Sequence, residues 1–289
     1  MREHSLDEFE SLFERASIPV FDIPDLELAN IAAVISQTDL DYSVLGLAQY
    51  FKARFNSEVQ VYWPTKVNEQ HNIDMARKYN LSPASAYGAV EDLVAALAAE
   101  SCRLLIWPIS ESNEVAEGEL DTLVQSAEPP IFIVRQQIPQ PSRVFIRVLH
   151  SLCGSLERVQ HLAYSFSLVA DQGLLVLMHT IEEHEIEEVR DTLKVSPEIS
   201  GASGAALIAD LTQHAERYLK GLVASSRDEP YRVQYRLGMG EVLQVVRHEL
   251  SQGDYGLLVT GSHEHGHSDI AAMDYQLMHQ VRDIPVLAL

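Results

Sequence analysis

Cysteine is nearly absent from this chain. Cys102 and Cys153 are the only two in 289 residues. They are too few for a disulfide framework, and their spacing suits neither a metal nor a redox pair. A reducing compartment, the cytoplasm, is the expected location. Basic residues are also scarce: 21 Lys and Arg stand against 42 Asp and Glu, a formal net charge of −21. Such a surface repels phosphate backbones and anionic lipid, so neither nucleic acid nor a membrane is an expected partner. No stretch reaches the roughly 18 consecutive apolar residues of a membrane span. The start, Met1-Arg2-Glu3-His4, leads into charge instead of an apolar segment, so no secretory leader is expected. What the chain does have is core material: 46% hydrophobic and 22% charged residues, which excludes pervasive disorder. The length predicts two domains.

Short apolar runs recur along the sequence at Ile31–Ser36, Val59–Trp63, Arg103–Ile109, Ile131–Val134, Val144–Leu149, Leu174–His179, Tyr231–Leu237, Gly256–Thr260 and Pro285–Leu289. Most are uninterrupted strings, the pattern of strands buried on both faces of a parallel sheet. Amphipathic or charged-faced stretches lie between them: Leu40–Phe55, Tyr87–Glu100, Glu114–Ser126, Leu156–Ala170, Gly204–Ser225, Gly240–Gln252 and Ile270–Arg282. This alternation predicts an α/β fold of βαβ crossovers. Gln136-Gln137-Ile138-Pro139-Gln140-Pro141 has no apolar period and reads as a linker. It divides the chain into residues 1–138 and 139–289, each with the same order of strands and helices, an internal structural repeat. In the first half the third strand is missing from the pattern: around Tyr79–Ser85 there is only Asn-Leu-Ser-Pro, poor strand material. Ahead of both halves, Ser5-Leu-Asp-Glu8 forms a capping box with Phe9, Leu12 and Phe13 on one helical face, so an extra N-terminal helix is expected.

The second half carries a resemblance. Tyr231–Leu237 ends in Gly238; a helix follows; then Asp254 precedes an apolar strand closing in Gly261-Ser262; a second helix leads to Pro285-Val286-Leu287. This succession resembles the universal stress protein family, closely over Ser142–Leu289 and by element order alone over Asn30–Arg135. The resemblance implies two flavodoxin-like (Rossmann-like) domains with parallel five-stranded sheets, of the adenine nucleotide alpha hydrolase-like type. They form a tandem pair with an N-terminal universal-stress-like domain at 1–138 and a C-terminal one at 139–289. It also implies a stress-response role. In the family's strand order, 3-2-1-4-5, the fifth strands Ile131–Val134 and Pro285–Leu289 lie at sheet edges. Both are apolar and uncharged, a hazard at an exposed edge. The two edges are therefore expected to pair antiparallel within one chain, a pseudo-dimer of the two domains; the alternative is pairing with a second chain, a homodimer.

Nucleotide-binding members of that family carry Gly-x2-Gly-x9-Gly-Ser/Thr after the fourth strand, where bare backbone and helix N-terminal amides approach phosphate. Here Gly261 fits the first position, Glu264 stands at the second, and the final pair falls on Asp274-Tyr275 or, in a shorter register, on Ala272-Met273. A carboxylate about 4 Å from a phosphate, at an effective dielectric near 20, costs on the order of 4 kcal/mol. The family's aspartate after the first strand is matched by His150-Ser151 and by Ser36-Gln37. The expectation is a non-enzymatic stress-response or regulatory protein acting through unidentified protein partners or a small ligand, without a resident cofactor. One alternative is ATP binding, with weak hydrolysis, through Gly261, Ser262 and Gly266. Another is a divalent metal such as zinc held by His263, His265, His150 and His179, because imidazoles clustered beyond strand ends suit such ions. The G-x-S-x-G nucleophile pattern is absent.

Overall fold

The computed structural model describes residues 19–110, 114–152, 159–182, 204–227, 229–261 and 275–289. The expected helix over residues 5–13 lies outside them. The first half contributes β1 (Asn30–Val34), α1 (Asp41–Phe55), β2 (Glu58–Pro64), α2 (Glu69–Lys78), β3 (Ser82–Tyr87), α3 (Val90–Ala99), β4 (Leu104–Pro108), α4 (Glu114–Ser126) and β5 (Ile131–Val134). The second contributes β6 (Arg147–Leu152), α5 (Val159–Leu168), β7 (Leu174–Ile181), α6 (Gly204–Ser225), β8 (Arg232–Met239), α7 (Val242–Gln252), β9 (Leu257–Thr260) and β10 (Val286–Ala288). Residues 275–280 are helical as well.

All ten strands join one sheet in the order β3-β2-β1-β4-β5-β10-β9-β6-β7-β8. Read inward from either outer edge, the order is 3-2-1-4-5. Pairing is parallel within each half, and the single antiparallel junction is β5 with β10, in the register Val286↔Ile133, Leu287↔Phe132, Ala288↔Ile131. These are the two apolar edges that the sequence leaves uncovered, and each covers the other. Every residue of Ile131–Val134 and of Val286–Ala288 is buried, as befits strands sandwiched between helix layers.

Two layers of helices cover the sheet. On one face Val44, Leu45 and Phe51 of α1, Leu162 and Phe166 of α5, and Leu219 and Leu222 of α6 form a core with alternate strand residues. On the other, Leu93 and Leu97 of α3, Leu120 and Leu123 of α4, Val246 of α7 and Leu277 and Met278 do the same. Helix α1 shows how the sequence sets its own limits. Asp41 sits in the first turn, Lys52 and Arg54 in the last, complementing the dipole, and Asn56 closes it in the left-handed region at φ 53°.

The structure corrects two sequence expectations. The third strand of the first half exists: β3 is Ser82–Tyr87, parallel to β2, with a register shift between Val61 and Trp63. Proline is tolerated there because β3 is the last strand of the sheet and Pro83 sits beside the irregularity. The first strand of the second half is displaced. Pro141–Phe145 forms a 3-10 turn with proline at its start, and pairing begins at Arg147. Val144 and Phe145 are buried as anticipated, but against the first half instead of within the sheet. Phe145 stacks on Tyr50 with centroids 5.0 Å apart and meets Phe51 at 5.5 Å and Phe132 at 6.1 Å.

The seam is reinforced on both faces. On one, Arg54 at the end of α1 reaches the end of α5. On the other, the Asp121 carboxylate of α4 accepts from the Tyr275 hydroxyl at 2.9 Å and lies 3.1 Å from His279 Nε2. The chain before β1 adds a third tie. The Phe21 amide donates to Ser225 Oγ at 2.8 Å, and its ring meets Tyr218 edge-on at 5.0 Å. The approach is close: a Cβ on Gly221 would stand 2.5 Å from the Pro19 carbonyl oxygen.

Candidate functional site

In a sheet of this order, ligands bind beyond the carboxyl ends of the strands where the order reverses, between strands one and four of each half. In the first half that region is built by the segment after β1. Gln37 adopts φ 58°, a left-handed conformation, and the turn is held by Asp41. The Asp41 carboxylate accepts from the amides of Ser36 (3.1 Å) and Gln37 (2.9 Å) and from Thr38 Oγ1 (3.3 Å). Asp41 is buried. Burial pushes its carboxyl up, and the backbone amides of Ser36, Thr38 and Gln37 pull it back only in part. The amide of Leu40 donates to Thr38 Oγ1 at 3.3 Å. Thr38 and Asp41 thus tie the turn to the first residue of the helix, whose N-cap, Leu40, has no side-chain cap bond. The signal for Asp41 in the sequence is an acidic residue in the first turn of the helical stretch Leu40–Phe55.

Beside this turn opens a cavity of about 330 Å³, lined by Thr38, Tyr42, His71 and Met75 among others. Helix α2 starts at its rim. Asn68 caps that helix by accepting from the His71 amide at 3.2 Å, and its carbonyl accepts from Gln37 Nε2 at 3.2 Å. Tyr42 is 57% exposed, with Lys78 Nζ 5.7 Å from its ring centre. The crevice thus presents an aromatic ring and an imidazole, while the Asp41 carboxylate at its wall is engaged in holding the loop.

In the second half, Ser151 and Thr260 are paired in register at the ends of β6 and β9, and both are buried. Gly261 follows directly and is buried too. Ser262 and Gly266, the remaining nucleotide candidates, lie outside the described residues, as do His263 and His265. The other two histidines are brought to one face of the sheet: His150 pairs with Leu177, and Leu152 with His179. His150 is fully buried, and its Nδ1 shares a hydrogen bond of 2.6 Å with Ser165 Oγ of α5. His179 Nδ1 donates to the Leu152 carbonyl at 3.2 Å. Among the described residues, no group of three or more His, Cys, Asp or Glu side chains is placed to hold a metal ion, and no helix is long and apolar enough to cross a membrane. Cys102 bonds to the Leu104 carbonyl through Sγ at 3.2 Å, and burial pushes its thiol up, away from the reactive thiolate.

No family model matches the sequence, and no curated protein matches it. Solved structures do match in shape. A universal stress protein from Archaeoglobus fulgidus DSM 4304 superposes with a TM-score of 0.58 at 14% identity, over 91% of this chain and 96% of that one. A functionally unknown protein from Pseudomonas aeruginosa PAO1 gives a TM-score of 0.59 at 15% identity, over 91% and 92%. The cytoplasmic domain of a prokaryotic cation chloride cotransporter gives 0.51 at 10% identity, over 90% and 94%. The chain has the fold of a universal stress protein, a flavodoxin-like α/β fold with a mostly parallel sheet. At these identities the likeness is one of fold.

Proposed function

We propose that this chain is a tandem universal stress protein with a regulatory, non-catalytic role, exerted through a small ligand or a protein partner. The antiparallel β5–β10 junction supports the reading most directly. It joins two five-stranded units of the same order edge to edge, as two separate chains would join in a symmetric dimer. The disposition of the polar groups supports the non-catalytic part. Asp41 is spent on its own loop and His150 is engaged with Ser165 inside the core. Glu264 stands where the nucleotide-binding pattern has glycine. Native mass spectrometry of the purified chain, followed by calorimetric titration with Mg-ATP, tests this. No co-purifying nucleotide and no saturable ATP binding are expected. A dissociation constant in the low micromolar range, about −8 kcal/mol, replaces the reading with an ATP-binding one. Stoichiometric zinc in the same spectrum replaces it with the metal-binding alternative.

A further inference from the structure

A second cavity, of about 470 Å³, opens at the seam where the linker passes from one half to the other. It lies where the chain leaves the carboxyl end of β5, beside the amino ends of β6, β9 and β10. Its walls come from the linker, from the turn before β9 and from the residues entering β10, so it exists only because the two halves are joined. Its size falls in the lower part of the roughly 300–1,000 Å³ range of small-molecule sites.

The walls are held from behind. Gln136 Nε2 donates to the Asp283 carbonyl at 2.6 Å, which fixes the linker to the approach of β10. The Tyr255 ring is clamped by the Arg147 guanidinium, 4.5 Å from its centre, and by a hydrogen bond from its hydroxyl to Glu249. Gly256 lets the 3-10 turn close on the β9 approach: a Cβ there would stand 2.5 Å from the Val144 carbonyl oxygen and 2.9 Å from that of Arg143.

The lining is chemically specific. Ile138, Ile146, Ile284 and Pro285 are apolar, and Ile146 is 49% exposed, large for an isoleucine. Two charges of opposite sign also line the cavity, Arg143 and Asp254. Among the described residues, neither side chain has an ion-pair or hydrogen-bond partner, and they do not pair with each other. Gln136, Gln137 and Gln140 add amide side chains to the lining. One unpaired cation, one unpaired anion, neutral amides and an aliphatic wall match a dipolar ligand with a short aliphatic body. The net charge of −21 points the same way, since a zwitterion carries no net charge to be repelled whereas a polyanion is disfavoured. We infer that this seam cavity binds an aliphatic amino acid or short dipeptide, its carboxylate on Arg143 and its ammonium on Asp254.

The inference does not depend on the regulatory reading above, because it concerns a different cavity. Calorimetric titration of the full chain with leucine and with leucyl-leucine tests it, with N-acetyl-leucine amide as the uncharged probe. At least one zwitterion is expected to bind saturably, with the blocked analogue at least about 10-fold weaker. Arg143→Gln and Asp254→Asn are each expected to weaken binding by about 10-fold or more, the scale of one charge-assisted hydrogen bond. Both positions are exposed, and an unchanged melting transition establishes that the variants are folded. The assignment is overturned if neither zwitterion binds, if the blocked analogue binds equally well, or if binding survives both substitutions in folded protein.

Discussion

Arg54, at the end of α1, donates through Nη1 to the carbonyl of Leu168 at 3.0 Å, at the end of α5 in the other half. The same guanidinium reaches the carbonyls of Ser167 at 2.8 Å and Val169 at 2.6 Å through Nη2. One side chain thus satisfies the carbonyls that a helix C-terminus leaves orphaned and places a positive charge at the negative pole of α5. Tyr50 holds it in place, accepting from Nη1 at 2.8 Å.

Replacing Arg54 by alanine is expected to destabilise the fold by about 2–4 kcal/mol, since part-buried carbonyls lose charged donors at once. Lysine should restore only part of this, because one ammonium cannot imitate the planar fork. Denaturant midpoints of the two variants check the order; equal stability of Arg54→Lys and the parent chain would contradict it.

Phe145, at the end of the 3-10 turn that follows the linker, joins an aromatic cluster with Tyr50, Phe51 and Phe132. Phe145→Ala should cost about 3–5 kcal/mol, the usual loss for a large core aromatic. Phe145→Leu should cost distinctly less. A comparably small loss for both would mean that the seam is loosely packed.

Removing Pro285–Leu289 strips the cover from β5, whose four residues are all buried. The truncated chain is expected to aggregate, since an apolar unpaired edge recruits other strands. Size-exclusion chromatography decides. A soluble truncated chain eluting at its original size would show that the edge needs no cover.

Alkaline titration should reveal two phenols, half-buried Tyr164 and buried Tyr255. Tyr164, whose hydroxyl donates across the seam to the Arg103 carbonyl at 3.1 Å, is pushed up to about 12, mainly by burial. Tyr255 is also pushed up to about 12, by burial and then by its bond to Glu249. The folded chain keeps protons that the unfolded chain releases near pH 10. Stability from these groups is complete below about pH 10 and is lost as pH rises toward 12. Unfolding free energies measured across that interval should fall, with tyrosinate absorbance rising late. A flat profile through pH 12 would refute the assignment.

The sequence pattern anticipates the strands β5 and β10, because a bare apolar string bounded by proline has few other readings. Their partnership is equally visible once the strand order leaves both at an edge. β3 hides because Ser82-Pro83-Ala84-Ser85 carries neither a β-branched residue nor an apolar run. Its place is decided by β2 and the crossover on either side of it, a tertiary cause that no local window contains. Helix α2 escapes for a similar reason: Glu69–Lys78 buries only Asn72, Met75 and Ala76, too thin a stripe to register as amphipathic. The site was legible only at its ends. His150 and His179 share a face as their strand positions imply, but the hydroxyl that engages His150 comes from Ser165, and helix packing alone brings it there. Asp41 is hard to read from sequence because its carboxylate acts backward on the chain, on the amides of Ser36 and Gln37.

The antiparallel junction between Val286–Ala288 and Ile131–Ile133 separates this molecule from any assembly of two identical subunits. In a twofold dimer every interfacial substitution appears twice and must be tolerated in both copies. Here the linker makes the encounter intramolecular, so the union does not weaken on dilution, and each seam residue is a single copy. Arg54 could therefore specialise toward α5, and Phe145 toward Tyr50, with no obligation on any mirrored position.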